Sequence, residues 1–228
     1  MAATRGTSYP VGPFSRQAPG PLDDGGGWQH QPLRNVRPNS AEVVLAGSTP
    51  VLRIHSNASA SGWSHSLTGG LRRARHLHWR WAVRGAPVRS EPGVRAGDDF
   101  AARLYAIFDY PLGKVPWSAR LGIRLARTLY GESVPAAALC YIWHPNSVPE
   151  TLVESPFTSR VRMIVPGAQS EGQGWHDVSR DLQADFGRAF GDEYGPGMPE
   201  LQAIVISADT DQSGGLVDAF FGDIVLSD

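Results

Sequence analysis

Residues 201–228 constrain the fold most, because they spell strand, acidic glycine turn and strand in one short stretch. Leu-Gln-Ala-Ile-Val-Ile-Ser leads into Asp209-Thr-Asp211-Gln-Ser-Gly-Gly, and Ala219-Phe-Phe-Gly-Asp-Ile-Val-Leu closes the chain. β-Branched and aromatic residues on both sides of an Asp/Ser/Gly cluster predict a hairpin or a sheet edge. Asp209, Asp211, Asp218 and Asp223 fall there with no basic residue between them. An acidic end on an otherwise apolar strand pair is the first lead toward a site.

The rest of the chain agrees with an all-β reading. A length of 228 residues suits one large sandwich. Charged residues are 19% of the chain, below the ~25% typical of soluble domains, while 41% are hydrophobic, enough for a sizeable core. The 26 glycines and 18 prolines fit many short strands joined by turns. A formal net charge of −1 argues against nucleic acid as a partner. The single Cys140 excludes an intrachain disulfide and any multi-cysteine metal site. It lies in an apolar run, 136–143, which predicts a buried, inert thiol. No stretch reaches the ~18–20 apolar residues of a membrane span. The N-terminus lacks the basic head and apolar run of a secretory signal. The chain as it stands is therefore expected in the cytoplasm, or in the periplasm or outside the cell if a leader has been removed.

Along the chain, residues 1–40 are rich in Pro, Gly and polar residues and predict an irregular arm. Phe14 and Trp28 would anchor it to a β-sandwich domain spanning 41–228. Strands are expected over 42–45 and 50–55, around Gly47-Ser48. Residues 77–83 alternate, with Leu77, Trp79, Trp81 and Val83 on one face and His78 and Arg80 on the other. The stretch 100–109 predicts a strand apolar on both faces, hence central, with Arg103, Tyr105 and Ile107 sharing a face. Residues 110–132 break this rhythm and read as an insertion. Its middle, 116–130, carries Leu121, Leu125 and Leu129 at helical spacing. It would form a surface for oligomerisation or a helix packed over a sheet end. Strands follow at 139–144 and 159–165. Val178, Leu182, Phe186 and Phe190 recur every four residues before Gly191, predicting one substantial helix at about 176–190. The expected architecture is mostly all-β: a single-domain antiparallel β-sandwich of jelly-roll type with that helix and that insertion.

Several segments also occur in a telling order. They are Trp79-Arg-Trp81, Gly97-Asp-Asp-Phe-Ala-Ala-Arg-Leu-Tyr105, Tyr141-Ile-Trp143, and Trp175 followed by Arg180-Asp181. Ala184-Asp185, Phe190-Gly191, Asp209-Thr-Asp211 and Gly222-Asp-Ile224 complete the set. With these the chain resembles, over about residues 14–228, a bacterial family of unassigned function, the domain-of-unknown-function group numbered 3047. Members of that family often carry an export signal. The pattern is also similar to jelly-roll sandwiches of the galactose-binding type, whose final Asp-Ile strand closes the sheet. The resemblance implies a fold unit and carries no mechanism.

Two constellations could carry chemistry. Asp209-x-Asp211-x-Ser213-Gly214 opens like a calcium loop, because hard cations want closely spaced oxygens. The closing position of a 12-residue loop falls on Phe220 rather than a carboxylate. Structural calcium would then need another geometry, with Asp98, Asp99 or Asp223 beside Asp209 and Asp211. The alternative is that these Asp side chains cap backbone amides in a turn. The second constellation is His78, Arg80, Asp99, Arg103, Tyr105, His144 and Arg180, on or beside the central strands. Aromatic area and bidentate Arg bonds would suit a glycan or similar polar small molecule. Internal pairing, such as Asp99 with Arg80 or Arg103, is the competing explanation. A hydrolase or lyase using Asp99, Arg103, His144 and Asp211 is the alternative to simple binding. No HExxH, P-loop, dinucleotide fingerprint or nucleophile elbow is present. Trp28, Trp63, Trp117 and Trp175 fall in expected loops, where each would be a plug for a sandwich end or, as the alternative, a binding platform.

Overall fold

The alternation over 77–83 becomes a strand, His76–Arg84, whose odd-numbered residues bury and whose even-numbered ones do not. The computed structural model describes residues 7–22, 26–86, 89–115, 135–167, 169 and 174–228. In chain order its strands are β1 (Ser8–Gly12), β2 (Gly20–Pro21), β3 (Trp28–Pro32), β4 (Ser40–Ala46), β5 (Thr49–Asn57), β6 (Ala60–Ser66) and β7 (His76–Arg84). There follow β8 (Arg103–Phe108), β9 (Ala138–Ile142), β10 (Leu152–Ser155), β11 (Thr158–Ile164), β12 (His176–Asp181), β13 (Leu201–Asp209), β14 (Leu216–Phe221) and β15 (Ile224–Ser227). Helix α1 (Leu182–Tyr194) is the one α-helix among the described residues.

The strands form two facing sheets, an antiparallel sandwich of jelly-roll type save for the parallel pair β9–β11. The first sheet runs β1-β15-β7-β14-β5-β4-β2, and β12 pairs with the other side of β7. The second runs β10-β11-β9-β8-β13-β6-β3. Between them lies an aromatic layer. Trp79 meets Tyr141 at 5.1 Å, and Trp81 meets Trp143 at 5.7 Å and Phe221 at 6.2 Å. All five of these rings are buried, and burying such a side chain is worth roughly 1.5–3 kcal/mol. A smaller cluster of Phe100, Cys140, Ile142, Met163 and Val165 packs on the outer face of the second sheet.

Three expectations change. Residues 1–40 are not irregular throughout: β1 pairs with β15 and β2 with β4 in the first sheet, and β3 pairs with β6 in the second. Phe14 and Trp28 are fully buried and tilt against each other at 5.9 Å. The Pro and Gly residues there lie in or beside edge strands, where a missing N–H is tolerated. The predicted helix at 176–190 begins later. Residues 176–181 are a strand instead, antiparallel to β7 with Val178 opposite Trp79. Asp181 then caps α1 by accepting from the Ala184 amide at 2.9 Å, and Gly195, at φ 86°, ends it rather than Gly191. Val178 fits the fourfold spacing by coincidence, because one residue cannot separate period two from period 3.6.

The terminal unit is also no hairpin. β13 sits between β8 and β6 in one sheet, β14 between β5 and β7 in the other. The acidic turn is therefore an arch across the sandwich, which lets Ile204, Ile206 and Ala208 bury with Val217, Ala219 and Phe221. The expected insertion helix at 116–130 and Trp117 lie outside the described residues. No helix among the described residues is long and apolar enough to cross a membrane.

The cap gives a direct test of the revised helix start. Asp181→Ala should lower stability by about 1 kcal/mol, read as a lower urea midpoint at unchanged slope; an unmoved midpoint would restore the earlier start.

Candidate functional site

The register of the second sheet builds a cleft on its outer face. Tyr105 stands opposite Val205, which stands opposite Ser64. Ile107, Ala203 and Ser66 form the next row. Because Leu104, Ile206 and Trp63 turn into the core, alternation sends these two rows outward. Gln31 and Arg34 from the β3 side, Pro135, Val161 and Gln202 complete a cleft of about 600 Å³. Tyr105 is half-buried, braced by the outer apolar cluster. Burial pushes its phenol well above the ordinary range, so its hydroxyl stays a neutral hydrogen-bond donor. No carboxylate or imidazole is among the described residues lining the cleft.

Further along the same face, the rows reach Arg103 opposite Ser207 and then Asp209. Here Arg103 is buried at 4% exposure, and Nη2 donates to the Asp98 carbonyl at 2.6 Å, to Asp98 Oδ2 at 3.2 Å and to Asp209 Oδ2 at 2.6 Å. Its guanidinium lies 4.7 Å from the Phe100 ring centre. Asp99 is fully buried, and its Oδ2 accepts from the amides of Gln212 and Ser213 at 3.2 and 2.7 Å and from the Ser213 hydroxyl at 2.5 Å. Asp99, Asp209 and Asp211 can each bring a carboxylate oxygen within 4.8 Å of the others. Burial raises the Asp98 carboxyl against the pull of Arg103. Burial also pushes Asp209 up to about 8, helped by the neighbouring Asp99, Asp211 and Asp98 and opposed by Arg103.

The remaining residues of the expected binding set are scattered. His78 and Arg80 face outward on the first sheet, beside Asp177 and Asp223 in a hollow of about 400 Å³. Arg80 stacks on Trp175 at 4.6 Å. Arg180 is committed to a network under α1: it donates to both oxygens of Asp185 at 2.8 and 2.7 Å and to Glu150 at 2.7 and 2.9 Å. Tyr141 donates to the same Asp185 at 2.9 Å. His144 lines a pocket of about 820 Å³ at the sandwich end. Its Nε2 lies 3.0 Å from the Ser90 carbonyl, which can only accept, and its Nδ1 lies 2.6 Å from the Ser147 hydroxyl. Both ring nitrogens therefore have a partner, with Nε2 donating to the carbonyl. Asp223 stands apart from Asp209 in its bonding: it accepts from the Ser15 amide and hydroxyl at 2.7 and 2.6 Å, clasping the N-terminal segment. Cys140 is buried, and burial pushes its thiol up to about 12. Trp28 and Trp63, expected in loops, lie instead in β3 and β6 and are buried in the core at 0% and 4% exposure.

Thus only Tyr105 of the expected ligand-binding set lines the cleft. Ser64, Ser66, Gln31 and Gln202 were not singled out by sequence reasoning. β6, Ser- and Gly-rich, lacks the β-branched residues that signal a strand; its one clue is the alternation of Trp63 and His65 with Ser64 and Ser66.

The chain belongs to the family described as protein of unknown function (DUF3047), whose model matches residues 26–225. No curated protein matches it in sequence. Among solved structures it is similar to the xyloglucanase domain of NopAA, a type three effector from Sinorhizobium fredii, in complex with cellobiose, at 11% identity and a TM-score of 0.46, covering 96% of this chain and 99% of that one. It is similar to the endoglucanase cel12A from Rhodothermus marinus at 13% identity and 0.46, covering 97% and 99%. It is similar to the native family 12 xyloglucanase from Bacillus licheniformis at 7% identity and 0.47, covering 97% and 100%. Likeness of this degree assigns no chemistry to this chain.

Two outcomes follow from the buried charges. Arg103→Met leaves Asp98 and Asp209 without their cation and should cost about 3–5 kcal/mol, measured by chemical denaturation; a cost under 1 kcal/mol would mean the cluster is solvated. Burial lowers the values of His65 and His78 from 6.5, with His76 adding to the effect at His78. The unfolded chain therefore takes up protons first as pH falls. Stability from these two groups is full above pH 6.5 and declines below it. The raised Asp98 and Asp209 carboxyls act in the opposite sense, so the histidine part is read as the difference in melting temperature between parent and variant from about pH 7 to pH 5. Replacing both histidines by Gln should remove that part.

Proposed function

We propose that this DUF3047 protein binds an extended, neutral, hydroxyl-rich ligand, a glycan chain, in the cleft on the outer face of its second sheet. The observation that carries this is the paired rows Tyr105–Val205–Ser64 and Ile107–Ala203–Ser66. They set an aromatic ring and apolar area beside small hydroxyl side chains on rigid strands. A sugar presents the same mixture, an apolar face with hydroxyls at its rim, and such sites fix orientation with few polar groups. Gln31 and Gln202 add amides that both donate and accept, which suits hydroxyl groups.

Hydrolysis of the same glycan is the second reading; acid–base hydrolysis of a glycoside uses two carboxylates flanking the bond. The described cleft lining supplies none. Of the four residues assigned to an enzymatic alternative, Arg103 is held in ion pairs, Asp99 holds the arch and His144 has both ring nitrogens bonded, while Asp211 is exposed at the arch and outside the cleft.

Neutral oligosaccharides, cellobiose and xyloglucan fragments among them, are the probes for calorimetric titration. Tyr105→Ala should weaken binding about tenfold, or about 1.4 kcal/mol. Ser66→Arg, at an exposed rim position, should block the cleft while leaving the melting temperature unchanged. If no oligosaccharide binds the parent, or Ser66→Arg binds as well as the parent, the cleft is not the site. Release of reducing sugar by the parent protein would convert the reading to a hydrolase.

A further inference from the structure

We propose that Asp99, Asp209 and Asp211 hold a calcium ion at the arch between the two sheets. Three observations converge there, and none depends on the glycan cleft. The first is geometric: the three side chains come from two distant parts of the chain, yet each can place a carboxylate oxygen within 4.8 Å of the others. The second is a set of orphaned oxygens. Asp99 is fully buried, and while its Oδ2 takes three donors, its Oδ1 has no hydrogen-bond partner. Asp209 repeats the pattern, with Oδ2 on Arg103 and a buried Oδ1 without a partner. Asp98 Oδ1 is buried and unpartnered as well. A buried acceptor left unmade is costly, more so when charged, and native structures hold few without an explanation such as an ion. The third is charge: Asp98, Asp99, Asp209 and Asp211 gather at the arch, where Arg103 pairs with Asp98 and Asp209 alone.

Oxygen-only ligands select a hard cation, and the group contains neither His nor Cys, which excludes the usual zinc set. Calcium tolerates irregular geometry and six to eight oxygens, so water completes the shell on the side where Asp211 is exposed. The arrangement differs from a contiguous calcium loop. Asp99 arrives from the segment before β8 and replaces the missing closing carboxylate at Phe220, so the sequence-local pattern is incomplete while the spatial one is not. Asp223, bonded to Ser15, is outside it. A bound ion would tie the 98–99 segment to the 209–211 turn, and so lock the crossing from β13 to β14.

The test uses the full chain, stripped with chelator and titrated with calcium chloride. Isothermal titration should give one ion per chain, and the melting temperature should rise with calcium concentration as mass action requires. Asp211→Asn, at an exposed position, should keep the calcium-free melting temperature and bind calcium at least tenfold more weakly. Asp99→Asn should lose calcium binding too, although it also removes part of the arch's support. Asp223→Asn should leave calcium affinity unchanged. Absence of both a binding heat and a melting shift in the parent overturns the proposal, as does undiminished affinity in Asp211→Asn.

Discussion

The contact on which the remaining structure depends is the aromatic layer joining β7 to β9 across the sandwich. Trp79 on Tyr141 and Trp81 on Trp143 are large, rigid pairs, and facing sheets hold a separation near 10 Å only when their inner side chains interdigitate. The same rings reach beyond the core. The Tyr141 hydroxyl ends on Asp185, which fixes the start of α1 through Arg180. Trp143 meets His176 edge-on at 5.0 Å, at the head of β12. Helix, extra strand and end pocket are thus hung from one layer of rings.

Paired polar side chains beside this layer fix the crossing between sheets. Asn39 donates to the carbonyls of Ser61 and Ala208 at 3.1 and 2.7 Å. Thr210 shares its hydroxyl with Ser56 at 2.8 Å, linking the end of β13 to β5 in the opposite sheet. Asp99 holds the amides of Gln212 and Ser213 in the turn. Most partners in this network are backbone groups, so it specifies chain path rather than a ligand. By fixing where β13 ends, it sets Asp209 on the same outer face as Tyr105 and Val205.

The polar residues that looked like one binding face divide by their tertiary partners. Arg180 and Arg103 are consumed by carboxylates, Arg80 by a tryptophan ring, His144 by a carbonyl and a hydroxyl. A polar side chain with its capacity filled internally has little left for a ligand. The cleft instead uses small residues whose own signal in sequence is faint.

The sequence by itself determined the all-β class, the inward face of β7, the central place of β8 and the inert Cys140. These follow from alternation and apolar content, which are local properties. It also determined the family. Only the tertiary structure decided that residues 176–181 are a strand, because β7 offered them a free edge that outweighed a helical spacing shared with α1. Only it decided that the terminal unit is an arch rather than a hairpin, since both forms share one local pattern and differ in which sheet buries each half. The acidic turn was legible as a cluster, but its third member, Asp99, lies over a hundred positions away from Asp209 in the chain. Burial and register, both non-local, brought it there.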